Sequence, residues 1–175
     1  MPLLSIVIPA YNEENRIIRT LEGTFDYLNA QRYDSEVLVV NDGSSDRTAE
    51  KVLDFAKLTN GRLRLIENPG NRGKGYAVRN GMLQANGEIV LFYDADLATP
   101  TSEIVKVITP ISEDRQDVVF GSRALDRSLI GTHQSSLREA VGRVGNWIQY
   151  LLTGLSFKDT QCGFKAFSRT AAQTI

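Results

Sequence analysis

The stretch Leu3-Leu-Ser-Ile-Val-Ile-Pro9 is a continuous, mainly apolar run near the start of the chain. Such a run, followed by a helical pattern, predicts a strand that is buried on both faces of a sheet. The helical pattern covers residues 13–31 and places five apolar side chains on one face, namely Ile17, Ile18, Leu21, Phe25 and Leu28. The opening of the chain therefore predicts a strand followed by a helix.

This unit repeats along the sequence. Further apolar runs fall at residues 37–40, 63–66, 89–93 and 118–121, with helical patterns between them. The apolar stripes of two of these helices are Ala49, Val52, Leu53 and Ala56, and then Ile104, Val105, Ile108 and Ile111. Four successive strand–helix–strand crossovers imply a mostly parallel central sheet with helices on both faces. We therefore predict a single α/β domain over residues 1–175.

The composition is that of an ordinary globular protein, because 42% of the 175 residues are hydrophobic and 23% are charged. No uncharged stretch reaches the roughly 20 apolar residues that a membrane-spanning helix needs. Cys162 and His133 are the only residues of their types, which excludes an internal disulfide and a Cys/His zinc site. A reducing, cytoplasmic location is therefore expected.

Charge is distributed unevenly along the chain. Residues 1–120 carry 13 Lys or Arg and 18 Asp or Glu, whereas residues 121–175 carry 7 and 3. A basic C-terminal part is typical of a protein that binds an anionic partner, although a few solvated basic side chains would give the same count.

The part of the chain beyond residue 121 follows another pattern. Ser136 and Glu139 form a capping box, and a long apolar stripe continues from Leu137 to Leu155. This helix is interpreted either as a core helix on the sheet or as a helix in a membrane interface, with Trp147 near the headgroups. A further helix is predicted after Ser168 without a stop signal, so we expect the protein to continue beyond residue 175.

Polar residues follow the first four predicted strands. They form four segments: Pro9–Glu13, Asn41–Asp46, Asn68–Gly75 and Asp94–Asp96. In an open parallel sheet, ligands bind beyond the carboxyl ends of the strands. The four segments are therefore expected to face one crevice.

Asp94 and Asp96 are the sharpest feature of this crevice. Residues two apart in an extended chain point to the same side, and two neighbouring carboxylates repel unless a cation lies between them or one is protonated. Oxygen ligands suit Mg²⁺ or Mn²⁺, with substrate phosphates completing the coordination shell. The alternative is that Asp96 caps the helix that follows.

The glycine-rich segment Gly70–Gly75 has neither the P-loop order nor the dinucleotide fingerprint, which disfavours a kinase or a dinucleotide enzyme. Lys74 is then either close to a phosphate or part of a solvated turn. Asp42 is either a ribose or base contact or a turn former, and its place in the crevice favours the contact. Arg123 follows the fifth strand at the same edge, where it could grip a phosphate.

Several segments of the chain resemble a known family. The inverting family 2 glycosyltransferases, which have a GT-A (Rossmann-like) fold and use nucleotide sugars, look similar at Ser5–Glu13, Val39–Ser44, Asp94–Asp96 and Gly121–Arg123. Within that family, the dolichyl-phosphate beta-glucosyltransferases look most similar at Asn71–Gly75, Asp94–Thr99, Gly121–Ala124 and Asp159–Lys165, of which the second and third extend segments just named.

The resemblance implies a role for each matching position. The nucleoside would be held by Pro9, Tyr11, Glu13 and Asp42, and Lys74 would lie near the donor. Asp94 and Asp96 would bind the diphosphate through Mg²⁺ or Mn²⁺. The acceptor phosphate would face Arg123, Arg138 and Lys165, which with Asp96 would be the catalytic residues. Residues 1–120 would then form the nucleotide-sugar-binding part and residues 121–175 the acceptor-side part.

The expected reaction is transfer of a hexose, glucose from UDP-glucose, to a polyprenyl or dolichyl phosphate. Related mannosyl enzymes usually carry Gln where this chain has Ala98, so a mannosyl donor is disfavoured. We expect a peripheral enzyme on the cytoplasmic face of a membrane, with no nucleic-acid partner. One rival is transfer to a sugar hydroxyl, for which Asp159 is the candidate base. Another is a non-catalytic, receiver-like module that binds a nucleotide sugar or Mg²⁺, which Tyr11 and Asn12 disfavour because receivers carry acids there.

Overall fold

The computed structural model describes residues 2–96, 98–121 and 162–175. In these ranges the chain alternates strands and helices, beginning with β1 (Leu4–Ala10), α1 (Ile17–Asn29), β2 (Ser35–Asn41), α2 (Thr48–Ala56), β3 (Leu63–Glu67), α3 (Lys74–Gln84) and β4 (Ile89–Tyr93). After a 3₁₀ turn at Thr101–Glu103 come α4 (Ile104–Ser112), β5 (Val118–Phe120), β6 (Phe164–Ser168) and α5 (Arg169–Thr174).

The six strands form one sheet in the order β3-β2-β1-β4-β6-β5. β1 pairs in parallel with β2 and with β4, and β2 pairs in parallel with β3. β1, β2 and β4 are almost wholly buried, as the apolar runs predicted, because helices cover both of their faces, whereas β3 at the edge of the sheet is partly exposed. The prediction of a mostly parallel α/β sheet is confirmed.

β6 was not predicted from the sequence. It runs antiparallel to β4, with Phe92 opposite Lys165 and Tyr93 opposite Phe164, and it separates β4 from β5 in the sheet. β6 and α5 belong to the same compact unit as the residues up to Val119. The functional division of the chain near residue 120 stays a prediction.

The helices lie on both faces of the sheet. On one face, α3 and α5 cover a core that includes Val7, Val40, Phe92 and Phe167. On the other face lies α1, whose threonines hydrogen-bond to the end of β4. A Cβ built at Gly81 would lie 2.4 Å from Cγ1 of Val7, so the glycine allows α3 to pack closely on β1.

The predicted helix boundaries and stripes need three corrections. α1 begins at Ile17 rather than at residue 13, because Glu13 to Arg16 form a turn in which the N–H of Arg16 donates to the carbonyl of Glu13. Leu53 and Val105 are 52% and 50% exposed rather than buried. The buried apolar faces of α2 and α4 are narrower than the apolar stripes predicted from the sequence. In α4, Val107 is buried in place of Val105.

The helix predicted after Ser168 is present, and the Ser168 side chain accepts the N–H of Ala171 as its cap. The predicted apolar helix at residues 137–155 and the residues Arg123, Arg138 and Asp159 lie outside the described residues. Within the described ranges, no helix has both the length and the apolarity to span a membrane.

Candidate functional site

A cleft of about 340 Å³ opens at the carboxyl ends of β1 and β4. β1 pairs with β2 on one side and with β4 on the other, so the chain order reverses between β1 and β4. This reversal leaves a crevice in an open α/β sheet, because the loops leaving the two strands diverge to opposite faces. The site therefore follows from the topology.

Seven of the ten predicted site residues line this cleft: Pro9, Tyr11, Glu13, Asp42, Lys74, Asp94 and Asp96. Lys165 is described but is not among the lining residues, and Arg123 and Arg138 lie outside the described ranges. The lining also includes residues that were not predicted as site residues: Ala10, Arg16, Asn71, Gly73, Ala77 and Ala95. Asn71 and Gly73 belong to the glycine-rich segment that the sequence had placed at the crevice.

Asp94 and Asp96 follow β4 directly and stand at the wall of the cleft. The Asp94 side chain is 37% exposed, and the Nζ of Lys74 lies 2.5 Å from its Oδ1. Asp96 is exposed, and its Oδ1 accepts the N–H of Ala98 at 3.0 Å. Asp96 thus shapes the turn after β4 and does not cap α4, which begins eight residues later at Ile104.

The two carboxylates make an incomplete oxygen ligand set. Within the described ranges, no group of three or more His, Cys, Asp or Glu side chains is placed to hold a metal ion. A divalent cation bound to Asp94 and Asp96 would thus need further oxygen ligands from substrate or water, which is how Mg²⁺ is commonly held beside phosphates. The residues fit a metal that arrives with a phosphate ligand.

Asp42 is buried, at 3% exposure, and its carboxylate is fully engaged. It accepts the side-chain amide of Asn68 at 2.7 Å, the N–H of Gly73 at 2.7 Å and the N–H of Arg72 at 3.1 Å. Asp42 therefore fixes the glycine-rich loop against the end of β2. Its predicted contact with a nucleoside stays a prediction, and the loop that it orders forms part of the cleft.

Gly43 lies directly behind this loop with a positive φ of 73°. A Cβ there would lie 2.5 Å from the backbone carbon of Gly70 and 2.6 Å from the backbone nitrogen of Asn71. Both the backbone conformation and the lack of space require glycine at this position. The β2 loop and the glycine-rich loop can therefore touch backbone to backbone.

The loops after β1 and β2 are joined by several hydrogen bonds. Asn12, itself at a φ of 54°, donates its N–H to Ser44 Oγ and accepts the N–H of Ser45, both at 2.9 Å. The N–H of Glu13 donates to Thr48 Oγ1 at 2.8 Å. These bonds hold the β1 loop against the β2 loop and the first residue of α2.

Asp46 completes this junction. It accepts the N–H of Thr48, the first residue of α2, and the N–H of Glu14 from the β1 loop, both at 3.0 Å, while Arg47 takes the N-cap position of α2. Burial alone raises the pKa of Asp46, but the hydrogen bonds from Thr48 and Glu14 outweigh it and hold the pKa below its ordinary value.

Tyr11 and Glu13, in the loop after β1, line the cleft. Tyr11 is 47% exposed, so its ring is available to a planar ligand. Both Glu13 oxygens accept from the guanidinium of Arg16, at 2.6 and 2.9 Å. This paired geometry fixes the orientation of the carboxylate and places a cation beside it.

Helix α1, on the face of the sheet opposite to α3 and α5, holds the end of β4 by two hydrogen bonds. Thr20 Oγ1 donates to the carbonyl of Ala95 at 2.5 Å, and the Thr24 hydroxyl bonds to the hydroxyl of Tyr93. Burial raises the pKa of Tyr93, so the phenol stays neutral. The Asp94–Asp96 segment is therefore fixed at its backbone.

Lys165, in β6, has its Nζ 5.9 Å from the ring centroid of Phe92 in β4. Phe92 lies directly opposite Lys165 in the pairing of β4 and β6, two residues before Asp94. Its predicted role at an acceptor phosphate stays a prediction.

Known proteins are similar to this chain in sequence and in fold. The family model described as glycosyl transferase family 2 matches residues 5–175. Among curated proteins, a dolichyl-phosphate beta-glucosyltransferase of Trichomonas vaginalis is 39% identical over 98% of this chain and 55% of its own length. The dolichyl-phosphate beta-glucosyltransferase of Saccharomyces cerevisiae is 36% identical over 98% of this chain and 56% of its own length. The chain thus spans about half the length of these relatives.

Two solved structures share the fold. A mannosyltransferase from Pyrobaculum calidifontis, in complex with GDP-Man and Mn²⁺, has a TM-score of 0.67 at 22% identity over 97% of this chain and 45% of its own. Glucosyl-3-phosphoglycerate synthase from Mycobacterium tuberculosis, in complex with Mn²⁺, UDP and phosphoglyceric acid, has a TM-score of 0.68 at 18% identity over 97% of this chain and 56% of its own. The sheet described above is accordingly a GT-A fold.

Proposed function

Because the chain belongs to glycosyl transferase family 2, we propose that the protein transfers glucose from UDP-glucose to a dolichyl or other polyprenyl phosphate. The observation that carries this proposal is the identity of up to 39% with dolichyl-phosphate beta-glucosyltransferases along 98% of the chain. The cleft supports it, because the residues that the resemblance assigns to the donor lie around one cavity.

The donor half of the proposal assigns the nucleoside to the part of the cleft lined by the β1 loop and the diphosphate to the part lined by Asp94 and Asp96. Tyr11 offers an exposed ring, and Pro9 and Glu13 lie beside it. Asp42 supports this half by ordering the loop from Asn71 to Gly73.

Asp94 and Asp96 would hold Mg²⁺ or Mn²⁺ together with the diphosphate. One of these carboxylates already pairs with a cation, because the ammonium of Lys74 lies 2.5 Å from Oδ1 of Asp94. When bound, the ion supplies Lewis-acid neutralisation of the charge on the departing UDP. Lys74 would move from the carboxylate towards the diphosphate, adding a second positive charge beside the leaving group.

The acceptor half rests on the basic residues Arg123, Arg138 and Lys165. An oxygen of the acceptor phosphate attacks the anomeric carbon, and the bond from that carbon to UDP breaks with its electron pair going to the UDP oxygen. By analogy with glycosidases, the sugar passes through an oxocarbenium-like state. The phosphate monoester is already ionised at neutral pH, so the step needs no general base.

Ala98 favours a glucosyl donor over a mannosyl donor because related mannosyl enzymes usually carry Gln at this position, and the names of the relatives agree with glucose. Ala98 is exposed, and it has no side-chain oxygen with which to bind a metal. A polyprenyl acceptor further implies that the reaction takes place at a membrane surface, which we assign to the cytoplasmic face.

Calorimetry with UDP-glucose, GDP-mannose and UDP tests the donor half, each with Mn²⁺, with Mg²⁺ and with chelator. We expect UDP-glucose and UDP to bind with metal, and Asp96→Ala to weaken that binding by at least roughly tenfold through loss of a charge-assisted contact. Asp54→Ala is the matched control, because it removes an exposed carboxylate of α2 that forms an ion pair with Lys57, the residue that follows this helix. Metal-independent binding that Asp96→Ala leaves unchanged would contradict the assignment.

Transfer assays in liposomes test the acceptor half. The protein is given UDP-[¹⁴C]glucose with dolichyl phosphate or with an alkyl glucoside, and label in each product is counted. Label on the phosphate lipid supports the proposal. Label on the sugar hydroxyl favours the rival with Asp159 as base, and donor binding without transfer to either acceptor favours a binding module.

A further inference from the structure

Gly163, the residue before β6, lies against the carboxylate of Asp94. A Cβ built on Gly163 would stand 2.1 Å from Oδ2, 2.6 Å from Cγ and 2.7 Å from Oδ1 of Asp94. Cβ atoms do not approach other atoms so closely. No side chain therefore fits at position 163 while the Asp94 carboxylate points where it does.

The requirement for glycine here is steric and not conformational. Gly163 does not have a φ in the left-handed region, unlike Gly43, Gly61, Gly70 and Gly73. The exclusion is therefore steric, and the three atoms nearest to a Cβ at Gly163 all belong to the Asp94 carboxylate.

The register of β6 fixes this contact. Phe164 is opposite Tyr93 and their rings lie 6.4 Å apart, while Phe167 stacks on Phe92, also at 6.4 Å. A shift of one residue would break both aromatic pairs and bring Cys162 or Phe164 to Asp94. The antiparallel strand thus delivers a residue without a side chain to the position beside the carboxylate.

On its exposed side the same carboxylate meets Lys74, whose Nζ lies 2.5 Å from Oδ1. The aspartate side chain is short, so the main way to relieve a methyl group at position 163 is rotation about its Cα–Cβ bond. That rotation would carry the oxygens away from Lys74 and out of their arrangement with Asp96.

We propose that Gly163 is a positioning residue for Asp94: the absence of a side chain at this point of β6 sets the direction in which the carboxylate faces the cleft and a metal-bound nucleoside diphosphate. The proposal rests on the proposed function and adds to it a residue that contacts no substrate. It also gives one residue of the Asp159–Lys165 motif, Gly163, a role at the donor site.

Gly163→Ala is the test, with Gly61→Ala as its control. Gly61 lies just before β3, at the amino end of that strand and away from the cleft, and a Cβ there would have nothing within 4 Å. We expect Gly163→Ala to lower the Mn²⁺-dependent affinity for UDP by roughly ten- to a hundredfold, the usual effect of disturbing a residue that orients a metal ligand. UDP affinity in chelator should stay within about twofold, and Gly61→Ala should change neither affinity.

A double-mutant cycle measured by melting temperature separates positioning from general damage. In an Asp94→Ala background the methyl group has no carboxylate to displace, so Gly163→Ala should lower the melting temperature less there than in the otherwise unchanged protein. UDP affinity is compared only in proteins that keep Asp94, because Asp94→Ala itself removes a proposed metal ligand. Equal losses of melting temperature in both backgrounds, or full Mn²⁺-dependent UDP affinity in Gly163→Ala alone, would overturn the proposal.

The melting temperatures keep the inference separate from the proposed function. If the unchanged protein shows no metal-dependent UDP binding, the proposed function fails, and so does the role assigned to Gly163 in it. Even then, the double variant Asp94→Ala/Gly163→Ala can be compared with Gly163→Ala. A higher melting temperature in the double variant would establish the steric relation between the two residues. If the melting temperature does not rise, that relation is refuted.

Discussion

The Nζ of Lys74, in the first residue of α3, lies 2.5 Å from Oδ1 of Asp94 at the end of β4. The two side chains are 55% and 37% exposed, so the pair is in contact with solvent and contributes little to stability. Its importance is positional, because the ammonium occupies a place beside the carboxylate that the proposed function gives to a divalent cation.

Lys74→Met should therefore change two affinities in opposite directions. Without nucleotide, Mn²⁺ should bind about 1.5- to 5-fold more tightly, because an exposed ion pair of about 0.2 to 1 kcal/mol no longer competes for Asp94. With UDP, affinity should fall by roughly tenfold, because the diphosphate loses a charged contact. Electron paramagnetic resonance of free Mn²⁺ measures the first change and calorimetry the second.

Lys57→Met serves as the control for loss of a lysine, since Lys57 pairs with Asp54 on the surface of α2. Both affinities should be unaffected by this change. A fall in both affinities in Lys74→Met would mean that Lys74 supports Asp94 instead of competing for it.

Asp42→Asn should loosen the glycine-rich loop. The carboxylate accepts two backbone N–H groups and one side-chain amide, and the amide of asparagine would point a donor at one of these donors. We expect a loss of about 1 to 3 kcal/mol in the free energy of unfolding. Hydrogen exchange at the amides of Arg72 and Gly73 should accelerate.

Asn71→Ala gives the comparison for this loop. It removes one exposed acceptor for the N–H of Gly73, at 3.1 Å, and leaves Asp42 in place. Its effect on unfolding should stay below that of Asp42→Asn. Equal exchange rates at Arg72 in both variants would show that Asp42 does not order the loop.

The sequence predicted the fold well where the signal was local. Buried strands such as β1 and β4 are short apolar runs, and the ends of consecutive parallel strands must share one sheet edge, which brought Asp42 and Asp94 to one cleft. The residue types at these ends, acids and glycines, then indicated the chemistry before any contact was known.

Long-range contacts could not be predicted in this way. β6 has five residues, Phe164–Ser168, and nothing in them specifies that the partner is β4 in the antiparallel direction. The engagement of Asp42 depends on amides thirty residues later, and the contact of Gly163 with Asp94 depends on the register of β6. Such relations are set by tertiary packing rather than by periodicity.

Gly43→Ala should be strongly destabilising. A side chain at its positive φ costs roughly 1 to 2 kcal/mol, and a Cβ 2.5 Å from the backbone of Gly70 adds about 1 to 3 kcal/mol of overpacking. We expect a total loss of about 2 to 5 kcal/mol, measured by urea denaturation.

Gly61→Ala separates the two contributions to that loss. Gly61 has a φ of 79° but nothing within 4 Å of a Cβ, so this variant should carry the conformational cost alone. If the two variants are destabilised equally, the contact between the Gly43 and Gly70 loops contributes nothing.

Glu36 lies at the opposite end of the sheet from the cleft, opposite Ser5 in the pairing of β1 and β2. Its Oε1 accepts the hydroxyl of Ser5 at 2.7 Å and the N–H of Asn86 at 2.6 Å, and Arg64 lies 3.4 Å from Oε2. Burial alone raises the pKa of Glu36, but these hydrogen bonds and the Arg64 charge outweigh it and lower the pKa below its usual range.

Stability from Glu36 should therefore depend on pH in a defined direction. A carboxyl whose pKa is lower in the folded state stabilises the fold above the unfolded pKa of about 4.3, and this contribution is lost as pH falls through the folded pKa. At neutral pH, Glu36→Gln should lower the free energy of unfolding by about 1 kcal/mol, and the difference from the unchanged protein should shrink below pH 4. Urea denaturation at several pH values measures this difference.

UDP affinity should stay the same in Glu36→Gln, because Glu36 holds the end of the sheet that is remote from Asp94. A stability difference that is constant with pH would show that the Glu36 contacts do not depend on its charge.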